Sequence, residues 1–378
     1  MDLSFVRAMN GHAECIYLCD VYPKLYRATA LDLRDAPDDA GIYPMNDISG
    51  MRSFSDVVPI ERCFVISRVS NHPFHPSNVI LQYKLLKFIL DVNPDVIHFN
   101  NLIYFNHFYL FLFRSRVLIS IHDPFPHSGE EDDAQSVISK IYRYLNKKLV
   151  NKHLLYNDAM VDAYARSRGI AKNRIVTSRL GPYDYLRSIR GSFYTNKIDF
   201  LFFGRIQKYK GIDLLLEAFK IVLEKAPNAK LLIAGSGSFW FDLDSFSISS
   251  DNLIIRNSFI PGPELADMID AASVIVCPYR DATQSGVVMS AYAFCKPVVV
   301  TDVGALREVV EDGVTGLVVP PNDAQSLALA MLDFIYGASS QFDWHASIHR
   351  HFYEQTGSWD HIAKELLLNY QKVGENPS

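Results

Sequence analysis

The chain has no apolar run approaching the roughly 20 residues that a membrane-crossing helix needs, and no charged-then-apolar leader at its start. The reading is therefore a protein that is soluble or peripheral on a membrane. Cys-x-x-Cys pairs are also missing, and the five cysteines (Cys15, Cys19, Cys63, Cys277, Cys295) are odd in number. Free thiols in a reducing cytoplasm fit that pattern best. General basicity is lacking too: the net charge is −5 and the pI about 6.2, which argues against a nucleic-acid binder. Internal repeats and low-complexity tracts are absent. What is present is enough apolar material for sizeable cores, with 49% hydrophobic and 21% charged residues, so disorder is not expected. A length of 378 residues suggests two domains, at about 150 residues each.

Residues 274–321 carry most of the signal. The run Val274-Ile275-Val276-Cys277, closed by Pro278, reads as a buried parallel strand. A polar loop follows (Asp281, Ala282, Thr283, Gln284, Ser285, Gly286), then a helical pattern over 287–294, a strand at 297–300 and another at Val318-Val319. Strand, loop, helix, strand is a βαβ unit, and ligands sit beyond the carboxyl ends of such strands. A polar, Gly-containing loop that opens a helix offers unpaired N–H groups and a positive dipole end to an anion. Upstream, a strand at 200–203 ends in Gly204-Arg205, and Lys210-Gly211 precedes a helix beginning near Asp213. Two cations at a strand end can neutralise a diphosphate without a metal, the Arg as a planar fork and the Lys as a point charge.

Gly-Arg-x4-Lys-Gly followed by the 274–321 unit resembles the donor half of the retaining glycosyltransferases of family 4 (glycosyl transferases group 1). The resemblance runs from about residue 97 to the C-terminus. It implies an α/β fold of GT-B architecture, two Rossmann-like domains facing each other across a cleft. The expected boundaries are 1–188 for the acceptor-side domain, completed by a C-terminal helix at 357–378, and 196–350 for the donor domain. The resemblance also implies that Gly204, Arg205 and Lys210 grip the diphosphate and that the backbone of Gln284, Ser285 and Gly286 assists. Gly235, in a Gly-Ser-Gly at a strand end, belongs to the same site, and Phe259 and Ile260 fall where the base docks. The family holds sugar and ribose around a Glu-x7-Glu pair. Here Ala282 and Ser290 occupy those positions, which leaves Asp281 to take the sugar contact and Glu308 to support the loop.

The first half is less legible. Residues 1–10 read as a helix, 14–19 and 63–67 as strands, and 22–55 mostly as loop that covers the acceptor side. By the resemblance, either the first strand lies upstream of Met1 or 14–19 is itself that strand. A helix over 77–90 has Ser77 as N-cap and apolar Val79, Ile80, Tyr83, Leu86 and Ile89. A strand at 95–99 ends in Asn100 and Asn101, and one at 117–121 runs into His122, which the resemblance sets opposite the donor sugar. His127 and Glu130 are weaker candidates for acceptor contacts, and the acids at 130–133 read as a solvated helix start. The aromatic stretch 102–113, followed by Arg114 and Arg116, reads either as a buried helix or as a surface leaning on membrane or on a lipid-linked acceptor. Further elements are expected at 136–150, 154–157, 158–168, 175–178, 230–234, 264–272, 323–336 (with Asp323 as cap) and 359–370. Asp242-Leu243-Asp244 follows no strand end and carries no metal reading.

The function so implied is transfer of a sugar from a nucleotide diphosphate sugar to a hydroxyl, with no cofactor or metal. The acceptor would be a glycan or a lipid-linked oligosaccharide of surface polysaccharide synthesis. The setting would be cytoplasmic, with peripheral contact to the inner face of the membrane left open. Two other readings stay open: an inactive nucleotide-sugar-binding partner, favoured by the missing acids, and another GT-B enzyme such as a nucleotide-sugar epimerase.

Overall fold

The computed structural model describes residues 2–21, 37–55, 58–70, 75–100, 111–122, 124–125, 144, 149–191, 197–282, 286–355 and 357–373. The chain divides into two units, one formed by Met1–Pro124, Asp132–Arg179 and Trp359–Ser378, the other by Phe125–Glu131 and Leu180–Ser358. Asn101, 102–110, His127, Glu130 and the acids that follow it, most of 136–148, Thr283, Gln284 and Ser285, for which the sequence raises expectations, lie outside the described residues.

The first unit holds α1 (Asp2–Asn10), β1 (Tyr17–Val21), β2 (Gly41–Pro44), β3 (Cys63–Ser67), α2 (Pro76–Val92), β4 (Ile97–Phe99), β5 (Val117–Ile121), β6 (Lys152–Leu155), α3 (Val161–Arg168) and β7 (Ile175–Thr177). Its strands form a three-stranded sheet in the order β1-β3-β2 and a parallel four-stranded sheet in the order β4-β5-β6-β7. The C-terminal helix Trp359–Gln371 packs against α1, and His12 Nε2 lies 2.7 Å from Asp360 Oδ1.

Several expectations are corrected here. β1 starts at Tyr17 rather than residue 14, β6 starts at Lys152 rather than 154, and the region expected to be loop contains β2, antiparallel to β3. Ser77 is not the N-cap of α2. Pro76 takes the first turn, with its φ already set for a helix, and Ser77 Oγ bonds His75 Nδ1 at 2.7 Å. The face of α2 that packs on the β1-β3-β2 sheet side carries Asn78, Leu81 and Leu85, whereas Val79, Ile80 and Tyr83 are exposed. Both faces of this helix are apolar, so periodicity alone could not say which one is buried.

The second unit is regular. Its elements are β8 (Ile198–Phe203), α4 (Ile212–Lys225), β9 (Leu231–Gly235), β10 (Leu253–Asn257), α5 (Gly262–Ala271), β11 (Ala272–Cys277), α6 (Gly286–Ala293), β12 (Val298–Thr301), β13 (Gly316–Val319) and α7 (Ala324–Tyr336). They build one parallel six-stranded sheet in the order β10-β9-β8-β11-β12-β13. β8 and β11 sit at its centre and are buried along nearly their whole length, which is why they read as continuous apolar runs. α4 buries Leu215, Phe219 and Val222 and packs along α7. Asp323 caps α7 as expected, its Oδ1 accepting from Ser326 N at 3.0 Å. Those hydrogen bonds hold its carboxyl below the usual range.

Candidate active site

The order of the six-stranded sheet reverses at its centre. From β8 the chain builds outward through β9 and β10, then returns to place β11 on the other side of β8 and continues through β12 and β13. Phe200 pairs with Val274 and Leu201 with Ile275 across this junction. A reversal of this kind opens a crevice beyond the carboxyl ends of the two central strands. The loops that leave β8 and β11 are the two that the sequence marks as chemically loaded.

Backbone contacts lock these loops together. Gly204 N donates to Ala234 O at 2.9 Å, Ile206 N to Ser236 O at 2.9 Å, Arg280 N to Tyr209 O at 2.7 Å and Ala305 N to Ala282 O at 3.2 Å. Gly235 has φ +153°, and a Cβ there would stand 1.8 Å from Gly204 O. At Gly211, φ is +66° and a Cβ would meet Pro278 O at 1.9 Å. Only glycine lets the loops approach this closely.

Arg205 is exposed, one residue past Gly204, and Lys210 is half-buried at the other end of the same loop. The Lys210 ammonium lies 3.8 Å from the centre of the Tyr279 ring and 5.0 Å from that of Tyr209, so its charge rests on aromatic faces. Burial pushes the neighbouring Cys277 thiol up to about 11, and the Lys210 charge pulls it part of the way back. Behind the loop, Arg280 forms a two-pronged pair with Asp213 (2.7 and 3.0 Å) and donates to Lys208 O at 3.2 Å and to Asn322 Oδ1 at 3.0 Å. Arg280 thereby ties the Arg205–Lys210 loop to the loop after β11.

Asp281 is half-buried on that second loop, and Gly286 opens α6 beside the Tyr183 ring. Ala282 and Ser290, which stand where the resembled family carries acids, are 2% and 5% exposed. Ser290 Oγ donates to Gly286 O at 2.7 Å, so its proton is spent within the helix. Glu308 is exposed on the short helix Leu306–Val309. Phe259 is exposed just beyond β10, and Ile260 is half-buried against the core.

His122 belongs to the first unit, one residue past β5. Its Nε2 donates to Asn100 Oδ1 at 2.8 Å, and its ring stacks on Tyr156 with centroids 5.1 Å apart. Asn100, at the end of β4, thus selects the histidine's tautomer. Tyr156 is itself anchored through a half-buried chain. Tyr156 OH meets Ser120 Oγ at 2.7 Å, Ser120 Oγ meets His98 Nε2 at 2.8 Å, and His98 Nδ1 meets Tyr370 OH of the C-terminal helix at 2.7 Å. Burial pushes His98 down to about 3, with the nearby His122 adding to the shift, so His98 is neutral at physiological pH.

Sequence reasoning missed Arg280, Asp213 and Tyr279 in the second unit and Tyr156, Ser120 and His98 in the first. The position of Arg280 three residues past the end of a buried strand was the available signal. The first-unit chain joins residues far apart in sequence and left none. Among the described residues no cluster of three or more His, Cys, Asp or Glu side chains could hold a metal.

Residues 197–336 match the family model "Glycosyl transferases group 1". An uncharacterized glycosyltransferase of Methanocaldococcus jannaschii is 32% identical over 173 residues, 45% of this chain and 44% of that protein. A D-inositol 3-phosphate glycosyltransferase of Mycobacterium avium is 32% identical over 182 residues, 46% of this chain and 41% of that protein. The chain thus aligns with less than half the length of these curated relatives. Sucrose-phosphate synthase from Thermosynechococcus elongatus superposes with a TM-score of 0.57 at 18% identity, covering 82% of this chain and 84% of that one. Anabaena HepE in complex with UDP-glucose does so with a TM-score of 0.54 at 15% identity, covering 86% and 87%. The α/β fold with parallel sheets is therefore that of the GT-B glycosyltransferases.

Proposed function

We propose that this chain is a glycosyltransferase that moves a sugar from a nucleotide diphosphate sugar to a hydroxyl of a glycan or lipid-linked acceptor, in the cytoplasm and with retention of anomeric configuration. One observation carries the reading. Arg205, Lys210 and the start of α6 leave the two adjacent central strands of the second unit at the point where the strand order reverses. The match of residues 197–336 to the group 1 model supports it, as does the UDP-glucose held by the structural neighbour HepE.

In such a transfer the bond between the anomeric carbon and the diphosphate breaks through a transition state of oxocarbenium character. Negative charge grows on the departing phosphate. Arg205, Lys210 and the N–H groups opening α6 meet that charge more strongly in the transition state than in the ground state. Lys210 leaves its seat over Tyr279 when a phosphate offers a better partner. The departing phosphate takes the acceptor proton on the same face, so no protein nucleophile is required. Asp281 takes the sugar contact that a paired acid makes elsewhere. The two cations balance the diphosphate in this scheme, so a chelator should leave the rate unchanged; activity abolished by EDTA would contradict the metal-free reading.

A second reading, a nucleotide-sugar-binding partner without turnover, draws on Ala282 and Ser290, both buried where acids would stand. A panel of radiolabelled nucleotide sugars separates the two. Acceptor-dependent release of the nucleotide supports transfer; binding with no acceptor-dependent release makes the chain a binding partner.

A further inference from the structure

Asp213 and Arg280 stand where four loops of the second unit meet. Asp213 lies in the first turn of α4, where the helix dipole favours a carboxylate. Its Oδ1 accepts from Arg280 Nη1 at 2.7 Å and its Oδ2 from Arg280 Nη2 at 3.0 Å, and Oδ2 also accepts from Trp240 Nε1 at 3.4 Å. The guanidinium donates further to Lys208 O, 3.2 Å from Nη1, and to Asn322 Oδ1, 3.0 Å from Nε. Lys208 lies on the loop after β8, Trp240 after β9, Arg280 after β11 and Asn322 after β13. One ion pair thus joins the carboxyl-end loops of four parallel strands.

Stability does not account for this arrangement. The Arg280 and Asp213 side chains are 28% and 23% exposed, and ion pairs that reach water add little to the folded state. What the pair does fix is Lys210. Arg280 N donates to Tyr209 O at 2.7 Å while its side chain holds Lys208 O, so Arg280 grips the turn Lys208–Lys210 at two successive carbonyls. The residue before Arg280 is Tyr279, whose ring seats the Lys210 ammonium at 3.8 Å, and the residue after it is Asp281. Lys210 is therefore held at its backbone and at its charge by adjacent residues of the loop that also carries Asp281.

We propose that Arg280 and Asp213 are positioning residues for sugar transfer: the pair fixes Lys210 relative to Asp281 and so sets where the departing phosphate meets its cation. The inference rests on the transfer reading above. Arg280 acts through the turn and not on the phosphate, because Asp213 already occupies its fork. An ammonium cannot replace it, since donors must reach a carboxylate, a carbonyl and an amide in one plane. Fixed charges count most where charge develops, so the loss should fall on the chemical step more than on donor binding.

Kinetics of the full chain with a panel of radiolabelled nucleotide sugars, beside calorimetry with UDP, GDP and ADP, test it. Arg280→Ala, Arg280→Lys and Asp213→Asn should each lower kcat about tenfold, with donor KM and diphosphate affinity within about threefold of the wild type. The thermal midpoint should stay close to that of the wild type. Arg280→Ala combined with Asp213→Asn should be no slower than Arg280→Ala alone, because either substitution removes the same device. Asp213→Asn keeps the shape of the site and decides the question if the alanine variant folds poorly. Full or raised kcat in Asp213→Asn beside a fall in Arg280→Ala would make Arg280 a phosphate ligand and overturn the positioning role. So would full kcat in Arg280→Lys, losses that multiply in the double variant, or a raised KM with a lowered midpoint. A wild type that binds and transfers nothing overturns the transfer reading and this inference together; a wild type that transfers, with variants that match it, overturns this inference alone.

Discussion

The two units hold their candidate side chains at strand ends by different means. The second has one continuous apolar core running through all six strands, from Phe200 and Leu215 to Val299 and Met331. The first divides its apolar residues among small clusters around Leu81, Val117 and Leu154. It places polar groups between them instead. Arg68 is fully buried and pairs with Asp20 through contacts of 2.7 to 2.9 Å, and His153, buried, and His98, half-buried, are both neutral at physiological pH. In the second unit, then, backbone contacts between the loops hold the candidate site, with the Arg280–Asp213 pair adding a side-chain tie. In the first, hydrogen-bonded side chains do the positioning, so that unit answers to protons.

The strongest test of this contrast sets two core substitutions side by side. Phe219→Ala should cost about 3–5 kcal/mol by leaving a cavity in the second unit. Arg68→Ala should cost up to a similar ~3–5 kcal/mol in the first, because Asp20, half-buried at 19% exposure, is left uncompensated. Urea unfolding at two pH values distinguishes them: the Arg68→Ala deficit shrinks as Asp20 takes up a proton in acid, and the Phe219→Ala deficit does not. Equal behaviour at both pH values would erase the distinction.

Next in size are the cations of the second unit. Arg205→Ala and Lys210→Ala should each reduce transfer on the order of 10²-fold while leaving the unfolding midpoint in place, as kinetics and thermal melts would report. The third effect belongs to the first unit. His98 and His153 are both pushed down to about 3 by burial, whereas an unfolded chain titrates near 6.5. The unfolded state therefore binds more protons between those values. Stability should be full above about pH 6.5 and fall as pH drops towards 3, by up to ~1.4 kcal/mol per pH unit for each histidine. His98→Gln should flatten the slope in a denaturant series across this range; an unchanged slope would remove His98 as its source. Smallest is Tyr156→Phe, which removes the hydroxyl that meets Ser120. A loss of about 1 kcal/mol is expected, with the His122 ring keeping its stacking partner.

The same contrast explains what could be read from the residues alone. In the second unit the information is local. Central strands are apolar runs, the loops that carry Arg205, Lys210 and Asp281 follow them directly, and Asp323 stands one residue before the helix it caps. Their adjacency in the sheet then follows from the rules of βαβ connection. In the first unit the information is distributed. His98, Ser120, Tyr156 and Tyr370 meet only after strands β4, β5 and β6 align and the C-terminal helix packs against the unit. No spacing along the chain announces that meeting. α2 shows the limit from another side: apolar all round, it declared a helix but not which face was buried, and Ser77 was displaced as cap by the proline before it.

Calorimetric titration of nucleoside diphosphates into the wild type, Arg205→Ala and Lys210→Ala tests the central claim most directly. If the crevice between β8 and β11 holds a diphosphate, one base of the series binds the wild type, and each substitution weakens that binding about tenfold or more. Affinity unchanged in both variants, or a wild type that binds no diphosphate, would contradict the assignment.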